Sequence, residues 1–114
     1  MPRILVCEPY PEIRELLAHI VGGLGFAPVL YRDGDAVPPD VGVLLLEPAL
    51  SGGVELAREI RARNPACPII CVSIYPPTPE TSALAPFAYL MKPFALAELQ
   101  RTLQEAVALA AIPA

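Results

Sequence analysis

The sequence predicts an α/β fold, a doubly wound five-stranded parallel sheet with helices on both faces, and three observations carry that prediction. Short apolar runs alternate with segments of helical period, the pattern of repeated strand–helix units. Several of the runs are apolar throughout rather than at every second residue, as in strands buried on both faces. Fifteen prolines and seven glycines fall mostly between the periodic segments, where they make short, stiff connections. A chain of 114 residues with no repeat, linker or low-complexity tract is expected to be one domain over residues 1–114.

The first strand is expected from Arg3 to Cys7, ended by Glu8-Pro9. Pro11 opens a helix whose apolar face carries Ile13, Leu16, Leu17, Ile20 and Val21. Acids at Glu12 and Glu15 suit its start, and Gly22-Gly23 or Gly25 its end. Phe26 to Tyr31 reads as an edge strand, because Pro28 has no N–H for a second neighbour. The segment from Asp33 to Asp40 is too short and proline-rich for more than one helical turn. Val41 to Leu46 is the central strand, with Glu47 at its carboxyl end.

Gly52-Gly53 marks a turn before a helix from about Val54 to Arg63, with Val54, Ala57 and Ile60 inward and Leu56 flanking. The fourth strand runs from Cys67 to Ile74. Pro76, Pro77 and Pro79 follow it and leave room for only a short helix near Glu80 to Leu84. The fifth strand is Phe87 to Met91. A last helix, about Ala95 to Ala110, is striped by Leu96, Leu99, Leu103 and Val107.

With 54% hydrophobic and 18% charged residues the chain can bury a core. A net charge of −4 with scattered basic residues argues against nucleic acid, which needs clustered cations to neutralise phosphates. No apolar run approaches the ~20 residues of a membrane span, so the expected location is the cytoplasm, with no membrane partner. Cys7, Cys67 and Cys71 are expected as buried free thiols. Zinc is not expected, since His19 is the only histidine and reads as solvated.

In doubly wound sheets, ligands bind beyond the carboxyl ends of the strands. Four such ends bring Glu8 and Pro9, Glu47, Ser73 and Lys92 toward one another, and Lys92 is the only lysine of the chain. Carboxylates, a hydroxyl and an ammonium converging there form a constellation rather than a lone motif.

Those residues carry a resemblance to the receiver domain of two-component response regulators, over nearly the whole chain. Ile4 to Leu17, an apolar strand followed by acid and helix, resembles the family's opening. Leu44-Leu45-Leu46-Glu47 stands where the family keeps its phosphorylated aspartate, and Ile69-Ile70-Cys71-Val72-Ser73 matches the strand ending in Ser or Thr. Tyr89-Leu90-Met91-Lys92-Pro93-Phe94 matches the closing signature and is the most specific string. The resemblance implies a flavodoxin-like strand order of 2-1-3-4-5 with shortened second and fourth helices. It also implies a role in bacterial two-component signalling and the phosphorelay.

The departures define an atypical receiver, a pseudo-receiver with a degenerate site. The family's paired acids hold magnesium and its aspartate attacks phosphorus. Here the second acid is Pro9, which offers no ligand, so Glu8 and Pro9 are a vestige of the acidic site. Neither magnesium nor any other cofactor is expected. Glu47, at the acceptor position, is one methylene longer, and a misplacement of about 1 Å can cost ~100-fold in rate. Ser73 and Lys92 remain as equivalents of the phosphoryl-holding residues, and Tyr89 as the switch aromatic. The longer Glu47 carboxylate is expected to reach Ser73 and Lys92 in imitation of the phosphorylated state, or to form a structural ion pair with Lys92 alone.

Three functions stay open on this reading. The favoured one is a phosphorylation-independent signalling domain with no enzymatic activity and no catalytic residue. It would act on a protein partner in trans, or as a homodimer, through Thr78–Leu90 and the exposed face of Ala95–Ala110. A phosphorylatable receiver using Glu47 is the second. A small flavodoxin-like enzyme or ligand-binding domain is the third. It is disfavoured because Ile13 stands where a Cys7-based phosphatase would need arginine, with Arg14 one residue late. Gly22-Gly23-Leu24-Gly25 also lies after the first helix rather than before it.

Overall fold

The computed structural model describes residues 2–111. Its strands are β1 (Arg3–Cys7), β2 (Ala27–Tyr31), β3 (Val43–Leu46), β4 (Ile69–Ser73) and β5 (Ala88–Met91). All pair in parallel in the order β2-β1-β3-β4-β5, as the resemblance implied. The helices are α1 (Pro11–Gly23), α2 (Gly53–Arg63), α3 (Pro79–Ala83) and α4 (Leu96–Ala110).

Side chains alternate across the strands and so divide the core into two slabs. One slab joins Ile4, Val6, Val43, Leu45, Ile70 and Val72 to α1 through Leu17 and Val21, and to α4 through Leu99 and Leu103. The other joins Leu5, Cys7, Leu44, Leu46, Ile69 and Cys71 to α2 through Leu56, Ala57 and Ile60. Because β1, β3 and β4 feed both slabs, their apolar runs have no polar face. The three cysteines are free and buried in the α2 slab.

Three details differ from the periodicity argument. Leu56, assigned to a flank, is buried, while Leu16 and Leu96, assigned to apolar stripes, are about half exposed at 50% and 52%. Each of these helices needs only a narrow stripe to cover its share of the sheet, and Leu16 and Leu96 fall at its margin. The Asp33–Asp40 segment, allowed one helical turn, contains none. Arg32 and Asp35 close a turn there: the Arg32 N–H donates to Asp35 Oδ2 at 2.8 Å, and the Asp35 N–H to the Arg32 carbonyl at 2.9 Å. Gly34 makes that turn possible with a φ of 89°. The segment covers the sheet through Val37 instead, which packs against the α2 slab that also holds Val41 just beyond it.

Local chemistry explains the elements nearest the strand ends. Pro11 stands in the first turn of α1, where a missing N–H costs nothing, with Glu12 beside it at the positive end of the helix. Gly53 begins α2 against the end of β3. A Cβ there would lie 3.3 Å from both the Glu47 carbonyl oxygen and Leu46 Cδ1, so a side chain would push the helix off the strand end. Thr78 and Thr81 cap α3 reciprocally, Thr81 N–H on Thr78 Oγ1 at 3.2 Å and Thr78 N–H on Thr81 Oγ1 at 2.8 Å. That cap sustains a helix of only five residues among prolines.

Candidate functional site at the strand ends

Backbone pairing brings the expected residues together. The Glu47 N–H donates to the Cys7 carbonyl at 2.9 Å, which sets Glu47 beside Glu8. The Lys92 N–H donates to the Ser73 carbonyl at 2.8 Å, which carries Lys92 across the end of β4. Glu8, Glu47 and Ser73 are almost fully buried, at 1%, 6% and 0% exposure. Pro9 is exposed and lies at the rim of the site.

The four side chains divide into two groups. Lys92 Nζ lies 2.9 Å from Glu8 Oε1 and 3.4 Å from Glu47 Oε1, so one ammonium serves two carboxylates. Glu47 Oε2 accepts the Ala49 N–H at 3.3 Å. Ser73 belongs to another network: its Oγ accepts the Tyr75 N–H at 3.1 Å. The Tyr89 hydroxyl donates to the carbonyl of the same Tyr75 at 2.7 Å. Glu47 therefore meets Lys92 but makes no hydrogen bond with Ser73, and the expected reach to both is corrected on the Ser73 side. Serine is short, and its Oγ takes the neighbouring Tyr75 N–H instead.

Sequence reasoning gave Glu8 too small a part and gave Arg14 none here. Glu8, read as a vestige, is the closer of the two partners of Lys92. Burial raises its carboxyl above the ordinary value of 4.5, against the hydrogen bond and charge of Lys92, which lower it. Its Oε2 is buried without a hydrogen-bond partner, and so is Arg14 Nε. Arg14 Nη1 donates to the Glu8 carbonyl at 3.4 Å. The signal for Arg14 was its spacing: three residues before Leu17 and seven before Val21, it lies on the sheet-facing side of α1.

A cavity of about 260 Å³ opens above the charged group, lined by Tyr10, Ile13, Glu47, Ile74, Tyr75 and Lys92 among others. Tyr10, Ile74 and Tyr75 are more than half exposed at 65%, 59% and 56%, so the charges sit beneath an apolar rim. Cys7 does not belong to a nucleophilic site, because burial pushes its thiol up to about 12 and keeps it protonated. Among the described residues no group of three or more His, Cys, Asp or Glu is placed to hold a metal ion.

The fold is that of signal receiver domains. The receiver domain of a modulated diguanylate cyclase from Desulfovibrio desulfuricans G20 superposes with a TM-score of 0.81 at 24% identity, covering 96% of each chain. A response regulator receiver protein from Pseudoalteromonas atlantica gives 0.79 at 17% identity, covering 94% of this chain and 98% of its own. A two-component response regulator from Clostridium difficile gives 0.78 at 18%, covering 95% and 97%. In sequence, the chain is 38% identical over 81 residues to the transcriptional regulatory protein BaeR of Escherichia coli O6:H1. That match takes in 63% of this chain and 32% of BaeR, so the chain corresponds to about a third of that regulator. No family model matches the chain.

Proposed function

We propose that the chain is a receiver-like signalling domain that works by protein–protein contact without being phosphorylated, and that it has no enzymatic activity. The observation that carries this reading is the double engagement of Lys92 by Glu8 and Glu47. An incoming phosphoryl group would have to displace Glu8 from Lys92, and it would meet two buried carboxylates with no metal ligand at Pro9. Ser73, the other group a phosphoryl oxygen would need, is engaged with the Tyr75 backbone and makes no hydrogen bond with Glu47 or Lys92. The partner surface is proposed as Thr78–Leu90 with the outer face of α4. There Arg101, Gln104 and Glu105 are exposed, with Arg101 and Glu105 paired at 3.7 Å. A cytoplasmic protein partner or a second copy of the chain suits this surface, which lacks the clustered cations that nucleic acid requires.

The test is an amide NMR titration with magnesium followed by beryllofluoride, a mimic of the phosphoryl group. No saturable shift at Glu8, Glu47, Ser73 or Lys92 is expected. Saturable shifts there that spread to Tyr89 would establish phosphoacceptance at Glu47 and overturn the reading. A Glu47→Asp, Ala and Gln series, read by partner binding, tests whether the carboxylate imitates the phosphorylated state; equal binding by all variants would exclude it.

A further inference from the structure

The divalent cation that this fold implies does not fit the residues present. Two features of the residues present stand against it. Pro9 supplies no ligand, and the Lys92 ammonium lies between the two carboxylates that would otherwise face the metal. The carboxylates of Glu8 and Glu47 nevertheless remain buried, and one ammonium cannot neutralise both.

We propose that two fixed cations of the chain, Lys92 and Arg14, take the place of the divalent ion, with Arg14 as the second counter-charge to the Glu8–Glu47 pair. Arg14 is positioned for this by α1: its guanidinium reaches the Glu8 carbonyl at 3.4 Å, and its Nε is buried rather than solvated. Two negative and two positive groups then meet at the strand ends, and the sum is neutral. Arg14 makes no ion pair with either carboxylate among the described residues, so its contribution is the field of a nearby, partly desolvated charge. A guanidinium suits that task because it stays ionised even where water is scarce. The Glu8 Oε2 and Arg14 Nε atoms, an acceptor and a donor, are each buried without a hydrogen-bond partner. Arg14 is a positioning residue in this scheme and touches no reacting group.

The inference rests on the reading of the site as independent of metal and phosphate, and the experiment separates the two. Magnesium is titrated into the full chain as wild type, Arg14→Gln and Pro9→Asp, and as the double variant Pro9→Asp/Arg14→Gln. Binding is followed by amide NMR shifts at residues 8 and 47 and by the melting temperature. Glutamine preserves a donor for the Glu8 carbonyl while removing the charge, so the variant is expected to fold. Wild type and Arg14→Gln, which both keep Pro9 and the Lys92 ammonium between the carboxylates, are expected to show no saturable binding. The double variant is expected to bind at least about tenfold more tightly than Pro9→Asp, equivalent to ~1.4 kcal/mol. Arg14→Lys beside Pro9→Asp should return the affinity to that of Pro9→Asp alone. No gain from Arg14→Gln beside Pro9→Asp would overturn the inference and leave the functional reading intact. Saturable binding by wild type would overturn the functional reading itself.

Discussion

The strand ends of this protein hold two polar networks that differ in kind. At the ends of β1 and β3, the buried Glu8 and Glu47 are joined by ion pairs to the partly buried Lys92 beyond β5. Beside them, Ser73 of β4 and Tyr89 of β5 are neutral and converge on the backbone of Tyr75, one on its N–H and one on its carbonyl. The first network governs whether the site tolerates another charge. The second fixes the course of the loop from β4 to α3. Adjacent strand ends can thus bring side chains near one another without making them a single unit, because each group takes the nearest partner that satisfies it.

The largest expected effect lies in the charged network. Lys92→Met leaves two buried carboxylates without their ammonium and should destabilise the fold by ~3–5 kcal/mol at neutral pH. Chemical denaturation would measure this, and adding Glu8→Gln should recover a large part of it. A loss no greater than that of a neutral hydrogen bond would erase the contrast between the networks.

In the neutral network, Tyr89→Phe and Ser73→Ala should each cost about 1 kcal/mol. The Tyr75 amide should also lose protection from hydrogen exchange in Ser73→Ala. An effect as large as that of Lys92→Met would place Ser73 in the charged group.

A smaller effect concerns pH. The folded-state value of Glu8 is raised, so the native protein keeps this proton to higher pH than the unfolded chain. Its contribution to stability is fully present below the ordinary value of 4.5 and is lost as pH rises through the raised value. The stability of Glu8→Gln relative to wild type should therefore increase as pH rises above the ordinary value of 4.5. A difference that is flat across that range would contradict the raised value.

The smallest expected effect is the coupling between the networks. In a double-mutant cycle, Glu47→Gln and Tyr89→Phe should add to within ~0.5 kcal/mol, because they share no hydrogen-bond partner. A larger coupling would merge the two networks into one.

Much of the fold was legible in the residues. The apolar runs ending at Cys7, Leu46 and Ser73 could only be strands buried on both faces, and proline limited α3 to a short helix. The margins were less legible: Leu16 and Leu96 have stripe spacing, but how wide a stripe a helix buries depends on what it packs against. At the site, residue type and strand-end position indicated Glu8, Glu47, Ser73 and Lys92 together. They did not reveal that Ser73 belongs with Tyr75 and Tyr89, or that Arg14 approaches Glu8 from α1.

The sequence by itself determined the class of fold, the strand order implied by its resemblance, and the set of polar groups gathered at one edge of the sheet. Periodicity and turn chemistry act over a few residues, and short-range rules can read them. Only the tertiary structure decided which polar group pairs with which. Burial makes each group take its nearest partner, and that partner is fixed by contacts as close as 2.9 Å between residues as far apart in the chain as Glu8 and Lys92.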